Sequence, residues 1–303
     1  MKANVSSRKQ MKSKRGGGIH GRFNAWDVLM WAFLIIFALI TIYPFIYTLA
    51  GSFNNAQDFQ YGGVWLYPRA PTFASYKVIF ADKRLYRALL NTTSITLIGV
   101  VTLVLFTSCV AYAMSRRTLR GKRFFWVVNM IPMFIGGGMI PSYMLMLLLG
   151  LYDNFFVYIM GVYGIFNMII FCNYFRSIDD GLYESAKIDG AGEWRIWFTI
   201  YMPLSKPVIA TVALWTALGR WNSYMATLLY TSKEVRLWTL QFYLMRLIRE
   251  GALPAIESQY YGEVSAQTLS FAAIVVSSIP IVCLYPFMAK HFSKGIMLGS
   301  LKG

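Results

Sequence analysis

Long apolar stretches alternate with short polar segments along nearly the whole chain. Crossing the ~30 Å hydrocarbon core of a bilayer takes about 20 mostly apolar residues in a helix. Six stretches meet this requirement, and their only charged residues are Asp27 at the first boundary and Arg220 in the second half of the fifth. They cover residues 25–50, 88–114, 124–149, 155–175, 207–230 and 268–289. The pattern therefore predicts an all-α membrane protein with six transmembrane helices.

The third stretch is interrupted by Gly136, Gly137 and Gly138, which lie between Pro132 and Pro141. A broken span is tolerated where its freed backbone groups face protein or a water-filled cavity. Alternatively, the glycines permit a kink at which another helix packs closely. The sequence leaves both interpretations open.

A polar segment, residues 176–206, separates the fourth stretch from the fifth. Ser177 or Asp180 can cap the start of a helix there, and Glu184 places negative charge near that start, where the helix dipole favours it. Gly190 can end the helix because it takes a positive φ without steric cost. We therefore expect a short exposed helix at this point.

The same helix offers a surface on which another protein can dock. Ser185, Ala186 and Gly190 are small, so a second backbone can approach closely, while Leu182 and Ile188 supply apolar anchors of the kind that helix-in-groove recognition uses. An amphipathic helix lying in the membrane interface is the alternative. Small residues gathered at one helix end favour docking.

The spacing E-[AS]-A-x3-G-x9-I-x-[LM]-P begins at Glu184 and ends at Pro203, with Ser185 at the second position and Met202 where leucine is usual. It resembles the cytoplasmic loop of ABC importer permeases, through which an ATPase drives the transmembrane subunit. The resemblance covers the chain from about Asp27 to its end, which places the permease domain at residues 25–303 and the coupling loop at about 176–206.

This resemblance implies a set of partners and roles. An ATPase dimer would dock on the loop and carry the ATP hydrolysis, so the chain itself would be a transport subunit and not an enzyme, with no cofactor or metal. A homologous second permease subunit and an extracytoplasmic solute-binding protein would complete the importer. The residues expected to couple to the ATPase are Glu184, Ser185, Ala186, Asp189 and Gly190.

Other residues are similar to the carbohydrate-type permeases, in particular the smaller, maltose-type subunit. The Gly-rich run of the third span and the Ser142-Tyr143-Met144-Leu145 that follows resemble permeases for large acidic oligosaccharides, such as aldouronate and alginate systems. The resemblance implies import of an oligosaccharide by alternating access. A permease for a non-sugar solute, such as a peptide or phosphate, is the alternative, and a membrane-embedded scaffold or enzyme is an alternative of another class.

Composition and charge agree with a membrane location. The chain has 303 residues, of which 57% are hydrophobic and 14% charged, which is too apolar for a soluble domain. With both termini in the cytoplasm, nineteen Lys and Arg residues lie inside and ten outside, as the positive-inside rule favours. The net charge of +16 thus reflects topology in a bacterial inner membrane, not nucleic-acid binding. Residues 1–24 are expected to form a disordered basic tail.

A sugar path needs aromatic faces and hydrogen-bonding groups within the spans. The residues expected to line it are Asn167, Arg220, Trp221, Asn222 and Tyr224. Each also has a structural interpretation: asparagine can bond a neighbouring helix, Trp and Tyr can anchor at the interface, and Arg220 can extend to the outer surface.

No catalytic or metal-binding constellation is visible in the sequence. The two histidines, His20 and His291, lie at predicted cytoplasmic ends, and Cys109, Cys172 and Cys283 fall inside predicted spans without paired spacing. No carboxylate pair occurs within a span, which disfavours proton-coupled transport. The energy for transport must therefore come from another protein.

Overall fold

The computed structural model describes residues 25–63, 66–250 and 262–300, with side chains given for 26–249 and 262–283 apart from that first gap. The predicted basic tail, residues 1–24, lies outside the described part of the chain. The chain divides into two compact units, Met1–Ile46 and Tyr47–Gly303.

Every regular element in the described ranges is helical, and an isolated antiparallel bridge joins Asn54 to Pro71. The helices, numbered in chain order, are α1 Ala25–Ser52, α2 Ala56–Gly62, α3 Ala74–Ala81, α4 Lys83–Ser115, α5 Lys122–Phe134, α6 Met139–Leu148, α7 Ile165–Arg176, α8 Asp180–Ile188, α9 Glu193–Ile196, α10 Met202–Leu204, α11 Lys206–Trp221, α12 Met225–Tyr230, α13 Leu240–Glu250 and α14 Ala266–Ser300. Short 3₁₀ turns occupy Phe155–Tyr158 and Val235–Leu237, and a π-helical stretch, Trp197–Tyr201, links α9 to α10.

Long apolar helices lie in the first, second and sixth of the six predicted spans, and bent pairs of helices include the third and the fifth. In the described ranges three helical segments qualify singly, namely Trp26–Ser52, Lys83–Ser115 and Ala266–Cys283. Two bent pairs raise the number to five if each is one span: α5 with α6, bent by 112°, and Glu193–Leu204 with α11, bent by 82°. The all-α membrane fold is confirmed.

The fourth predicted span, residues 155–175, differs from a continuous helix. Asn154 caps a 3₁₀ turn that ends at Tyr158, the chain then runs irregularly through Gly161 (φ 79°), and α7 begins only at Ile165. At membrane depth, the unpaired N–H and C=O groups of irregular backbone need hydrogen-bond partners from the protein. Arg220 supplies them by donating to the main-chain oxygens of Tyr158 and Gly161.

The third predicted span is broken at its glycines, as the sequence suggests. Residues 135–138 separate α5 from α6, and Gly138 has a φ of 78°. A Cβ at Gly136 or Gly137 would meet no atom within 4 Å. No close helix contact therefore accounts for these two glycines within the described part of this chain.

The core of the second unit consists of two main clusters that share α4. Near its start, α4 contributes Leu85 and Ala88 to a cluster with α3, α13, α14 and Trp221, which we call the outer cluster. Near its end it contributes Leu103 and Tyr112 to an inner cluster, which also includes side chains from α7, α8, α9 and α11. A displacement of α4 would therefore disturb packing at both ends.

Candidate functional site

The polar segment 176–206 contains the expected exposed helix, α8, and its N-cap is Asp179. The Asp179 carboxylate accepts a hydrogen bond of 3.0 Å from the main-chain N–H of Gly181, which is the usual N-cap bond. The predicted caps are wrong, because Ser177 ends α7 and Asp180 lies in the first turn of α8.

Gly190 ends α8 in the left-handed conformation that the sequence predicts, with a φ of 77°. The N–H of Ala191 donates to Ala186 O at 2.9 Å, and the N–H of Gly190 donates to Lys187 O at 3.0 Å. These two bonds form a Schellman motif, which satisfies carbonyls at the helix end. A Cβ at Gly190 would meet nothing within 4 Å, so the backbone conformation, rather than lack of space, favours glycine.

Four of the five predicted coupling residues lie on the exposed side of this segment: Glu184, Ser185, Asp189 and Gly190. The fifth, Ala186, is 9% exposed and packs in the inner cluster. Ala186 therefore anchors α8, while the other four remain accessible.

Apolar side chains extend this accessible surface. Ile188 is 86% exposed and Leu182 is 46% exposed, as expected for anchors of a docking helix. Trp194 and Phe198 are also exposed and were not singled out from the sequence. Large apolar side chains in an otherwise polar loop are the signal that could have identified them.

Glu193 joins three elements through its carboxylate. Oε2 accepts a hydrogen bond of 2.6 Å from the hydroxyl of Tyr112 on α4. Oε1 accepts one of 2.9 Å from the hydroxyl of Tyr183 on α8 and lies 2.8 Å from Nζ of Lys187. The hydrogen bond to Glu193 raises the pKa of Lys187 above its ordinary value, so this ion pair holds its charges at neutral pH.

Arg116, directly after α4, lies among aromatic rings. Its guanidinium carbon is 5.3 Å from the ring centre of Tyr112, 4.9 Å from that of Tyr183 and 4.6 Å from that of Tyr201. Its Nη1 is 3.9 Å from Oδ1 of Asp180 at the start of α8. From the sequence, Arg116 is one of the basic residues counted on the cytoplasmic side, and no sequence signal indicates that it lies among these rings.

The predicted substrate-path residues do not form one cluster. Arg220 donates from Nη1 to Tyr158 O at 2.6 Å and from Nη2 to Gly161 O at 3.2 Å. Asn222, the C-cap of α11, accepts a hydrogen bond of 3.2 Å from Nε2 of Gln241. The guanidinium thus supports the broken fourth span, and Asn222 links α11 to α13.

Trp221 is 6% exposed in the outer cluster, and its indole N–H donates to Ser277 O at 3.3 Å. An indole this deeply buried fits a packing role, and the predicted role of Trp221 in the sugar path stays a prediction. Tyr224 is 39% exposed. Asn167 lies apart on α7, where its Oδ1 accepts a hydrogen bond of 2.9 Å from the indole of Trp215.

Residues 104–298 match the family described as the inner membrane component of binding-protein-dependent transport systems. The chain is similar to the polygalacturonan/rhamnogalacturonan transport system permease protein YtcP of Bacillus subtilis (strain 168), with 36% identity over 288 residues, 92% of this chain and 98% of that protein. It is similar to protein LplC of the same organism, with 35% identity over 281 residues, 92% of this chain and 95% of that protein.

A solved structure shares the fold. It is a chain of a bacterial ABC transporter involved in the import of the acidic polysaccharide alginate, with a TM-score of 0.84 and 34% identity over 88% of this chain and 96% of that chain. These similarities confirm the resemblance that the loop motif suggested, and the relatives are permeases rather than enzymes. The chain belongs to the family of inner-membrane components of binding-protein-dependent transport systems, and it is a permease subunit of an ABC transporter.

Proposed function

We propose that this permease imports acidic oligosaccharides and that an ATPase dimer drives it by docking on α8. The observation that carries the proposal is the presentation of this helix: Glu184, Ser185, Asp189 and Gly190 are accessible, while Ala186 is packed inside. An anchored helix with one accessible face can transmit a push or a pull to the spans behind it.

The substrate class is supported by the relatives. YtcP is named for transport of polygalacturonan, a polymer of a sugar acid, and the structural relative imports alginate, an acidic polysaccharide. GanQ of Bacillus subtilis (strain 168), 30% identical, is named for galactooligosaccharides. None of these three names favours the alternative of a peptide or phosphate.

Within the spans, we assign the substrate path to the predicted residues as the structure arranges them. Asn167, Asn222 and Tyr224 supply polar or aromatic groups at accessible or half-buried positions, and Arg220 adds positive charge beside Asn222. Trp221 is buried, so it packs next to these residues and stabilises their positions. Positive charge near the path raises the local concentration of an anionic substrate.

The partners follow from the same proposal. A homologous permease completes the membrane-spanning pair, an extracytoplasmic solute-binding protein delivers the oligosaccharide, and two ATPase subunits dock from the cytoplasm. Both termini and α8 then lie on the cytoplasmic side, which the distribution of basic residues supports.

Gly190→Val tests the docking role. The substitution forces a β-branched residue into a φ of 77° and adds bulk where the ATPase approaches. We expect normal insertion of the permease, loss of uptake, and ATP hydrolysis that the loaded binding protein no longer stimulates. Uptake is measured with the complex reconstituted in vesicles.

Gly192→Val is the matched control. Gly192 is also exposed with nothing within 4 Å of a Cβ, but its φ is −73°, which any residue can adopt. We expect Gly192→Val to impair coupling much less than Gly190→Val. Wild-type uptake by the Gly190→Val complex would contradict the docking role of α8.

A further inference from the structure

Two tyrosines donate hydrogen bonds to the carboxylate of Glu193, one from a membrane helix and one from the polar loop. Tyr112 belongs to the membrane helix α4, whereas Tyr183 belongs to α8 in the polar loop. Both hydroxyls donate to Glu193, at 2.6 Å and 2.9 Å respectively. The bond from Tyr112 crosses from the loop to a span, and the bond from Tyr183 stays within the loop.

Arg116, which directly follows α4, also contacts the polar loop, through a cation–π interaction with Tyr183. Its guanidinium lies 4.9 Å from the ring centre of Tyr183, and its side chain is only 10% exposed. A desolvated cation over an aromatic face is worth more than an exposed one. Arg116 approaches Asp180 at 3.9 Å, which is too long for a hydrogen bond, so the aromatic contact is the closer-fitting link.

These polar contacts are not supported by packing on every side. A cavity of about 410 Å³ opens next to them, lined in part by Arg116, Glu193 and Trp194. Ile196 and Tyr201 are fully buried in the inner cluster, and the ring centre of Tyr201 lies 5.0 Å from that of Tyr112. The loop therefore meets α4 through this aromatic packing and through the Glu193 and Arg116 contacts, next to the cavity.

We infer that Tyr112, Arg116 and Glu193 are positioning residues that make α4 follow α8 when the ATPase moves it. This inference rests on the proposed docking of the ATPase on α8. A pull on α8 reaches Glu193 through the Lys187 ion pair, which the loss of the Tyr183 hydroxyl leaves in place, whereas Glu193 reaches α4 through the Tyr112 hydroxyl. Because α4 packs against α7 and α11 in the inner cluster, its displacement passes to the rest of the spans.

Two variants that each remove one hydroxyl distinguish transmission of motion to α4 from stabilisation of the loop. Tyr112→Phe removes the bond between Glu193 and α4, whereas Tyr183→Phe removes a bond of the same type to the same carboxylate within the loop. The reconstituted complex, with its second permease, ATPase and loaded binding protein, is assayed for oligosaccharide taken up per ATP hydrolysed. We expect Tyr112→Phe to lower this ratio by about fivefold or more, as typical couplings between sites do, and Tyr183→Phe to leave it near the wild-type value.

The distance between α4 and α9 in the assembled complex tests the same inference when too little complex is obtained for the uptake assay. Spin labels on Ala113→Cys in α4 and Arg195→Cys in α9 report the separation of the two elements, with Cys109, Cys172 and Cys283 replaced by serine. We expect the separation to stay constant between the nucleotide-free and ATP-bound complexes, and to change between them when Tyr112→Phe is added. A separation that changes in the complex retaining Tyr112 would overturn the inference.

The remaining outcomes are also decisive. Equal losses in Tyr112→Phe and Tyr183→Phe would show that the hydroxyls only stabilise the loop, and normal ratios in both would show that they transmit nothing; either result overturns the inference. If the unsubstituted complex couples ATP hydrolysis to uptake in the same assay, the proposed function stands regardless. If the unsubstituted permease recruits no ATPase, the proposed function fails, and this inference fails with it.

Discussion

Arg220 on α11 donates a hydrogen bond of 2.6 Å to the main-chain oxygen of Tyr158, which lies 62 positions earlier in the chain. Its second amino group reaches Gly161 O at 3.2 Å, and a Cβ at Gly99 on α4 would lie 3.2 Å from its Nε. One guanidinium thus satisfies the irregular backbone before α7 while α4 leaves room for it.

Two substitutions at this residue separate its structural and electrostatic roles. Arg220→Lys keeps the charge but loses the planar fork that reaches both carbonyls, and Arg220→Met loses both. We expect each to destabilise the permease by about 1–3 kcal/mol, since a partly buried carbonyl is left without a donor. Thermal unfolding of the purified complex measures this effect.

Only Arg220→Met is expected to raise the KM for an acidic oligosaccharide relative to a neutral one, since Arg220→Lys retains positive charge beside the path. KM values for uptake of a charged and a neutral oligosaccharide of equal length provide the comparison. Equal KM ratios in both variants and the wild type would remove Arg220 from the substrate path.

Trp221→Ala is expected to lower the yield of folded complex without changing turnover per assembled complex. The indole is buried in the outer cluster and bonded to Ser277, and removing a buried tryptophan side chain costs about 3–5 kcal/mol. Asn222→Ala, at the neighbouring exposed position, should preserve yield and reduce uptake if the amide contacts the sugar. Normal yield with reduced turnover in Trp221→Ala would restore the stacking role predicted from the sequence.

Asp82 caps the N-terminus of α4 and connects it to α13. Its Oδ1 accepts from the main-chain N–H of Arg84 at 2.8 Å, and its Oδ2 accepts from the hydroxyl of Tyr243 at 2.9 Å. We expect Asp82→Ala to cost about 1 kcal/mol or more, because a cap and a hydrogen bond are lost together. Asp82→Asn keeps a capping oxygen and should cost less.

The same carboxyl makes the stability of α4 dependent on pH. Burial acts to raise the pKa of Asp82, but the hydrogen bonds from Arg84 and Tyr243 outweigh it and lower the pKa. A lowered pKa in the folded state contributes stability above the unfolded pKa of about 3.9, and this contribution is lost as the pH falls through the folded value. The difference in thermal midpoint between wild type and Asp82→Asn should therefore shrink on acidification below about pH 4; a constant difference would contradict this account.

Single cysteines test the orientation. In a background without native cysteines, Ser185→Cys on α8 and Gln60→Cys on α2 are both exposed positions. An impermeant thiol reagent added to intact cells should label Gln60→Cys only, and it should label Ser185→Cys after the membrane is opened. Labelling of Ser185→Cys in intact cells would reverse the proposed topology.

Local sequence information was sufficient for the elements that local forces control. The apolar lengths of α1, α4 and α14, and the positive φ of Gly190 at the end of α8, follow from the hydrocarbon thickness and from the conformational freedom of glycine. Even there, the cap of α8 is Asp179 and not either predicted residue, because adjacent polar residues compete for one capping position.

Tertiary structure alone decided which distant residues meet. The hydroxyl of Tyr112 reaches a carboxylate 81 positions away on Glu193, and Trp221 lies buried beside Ser277 although its neighbour Asn222 is exposed. The sequence by itself determined that this chain is a membrane permease with a short exposed helix between two spans, because apolar length and motif spacing are local properties of the chain. The joint between that helix and α4, and the irregular fourth span held by Arg220, depend on how separate helices pack, because a hydrogen bond between distant segments exists only once packing has brought donor and acceptor within about 3 Å.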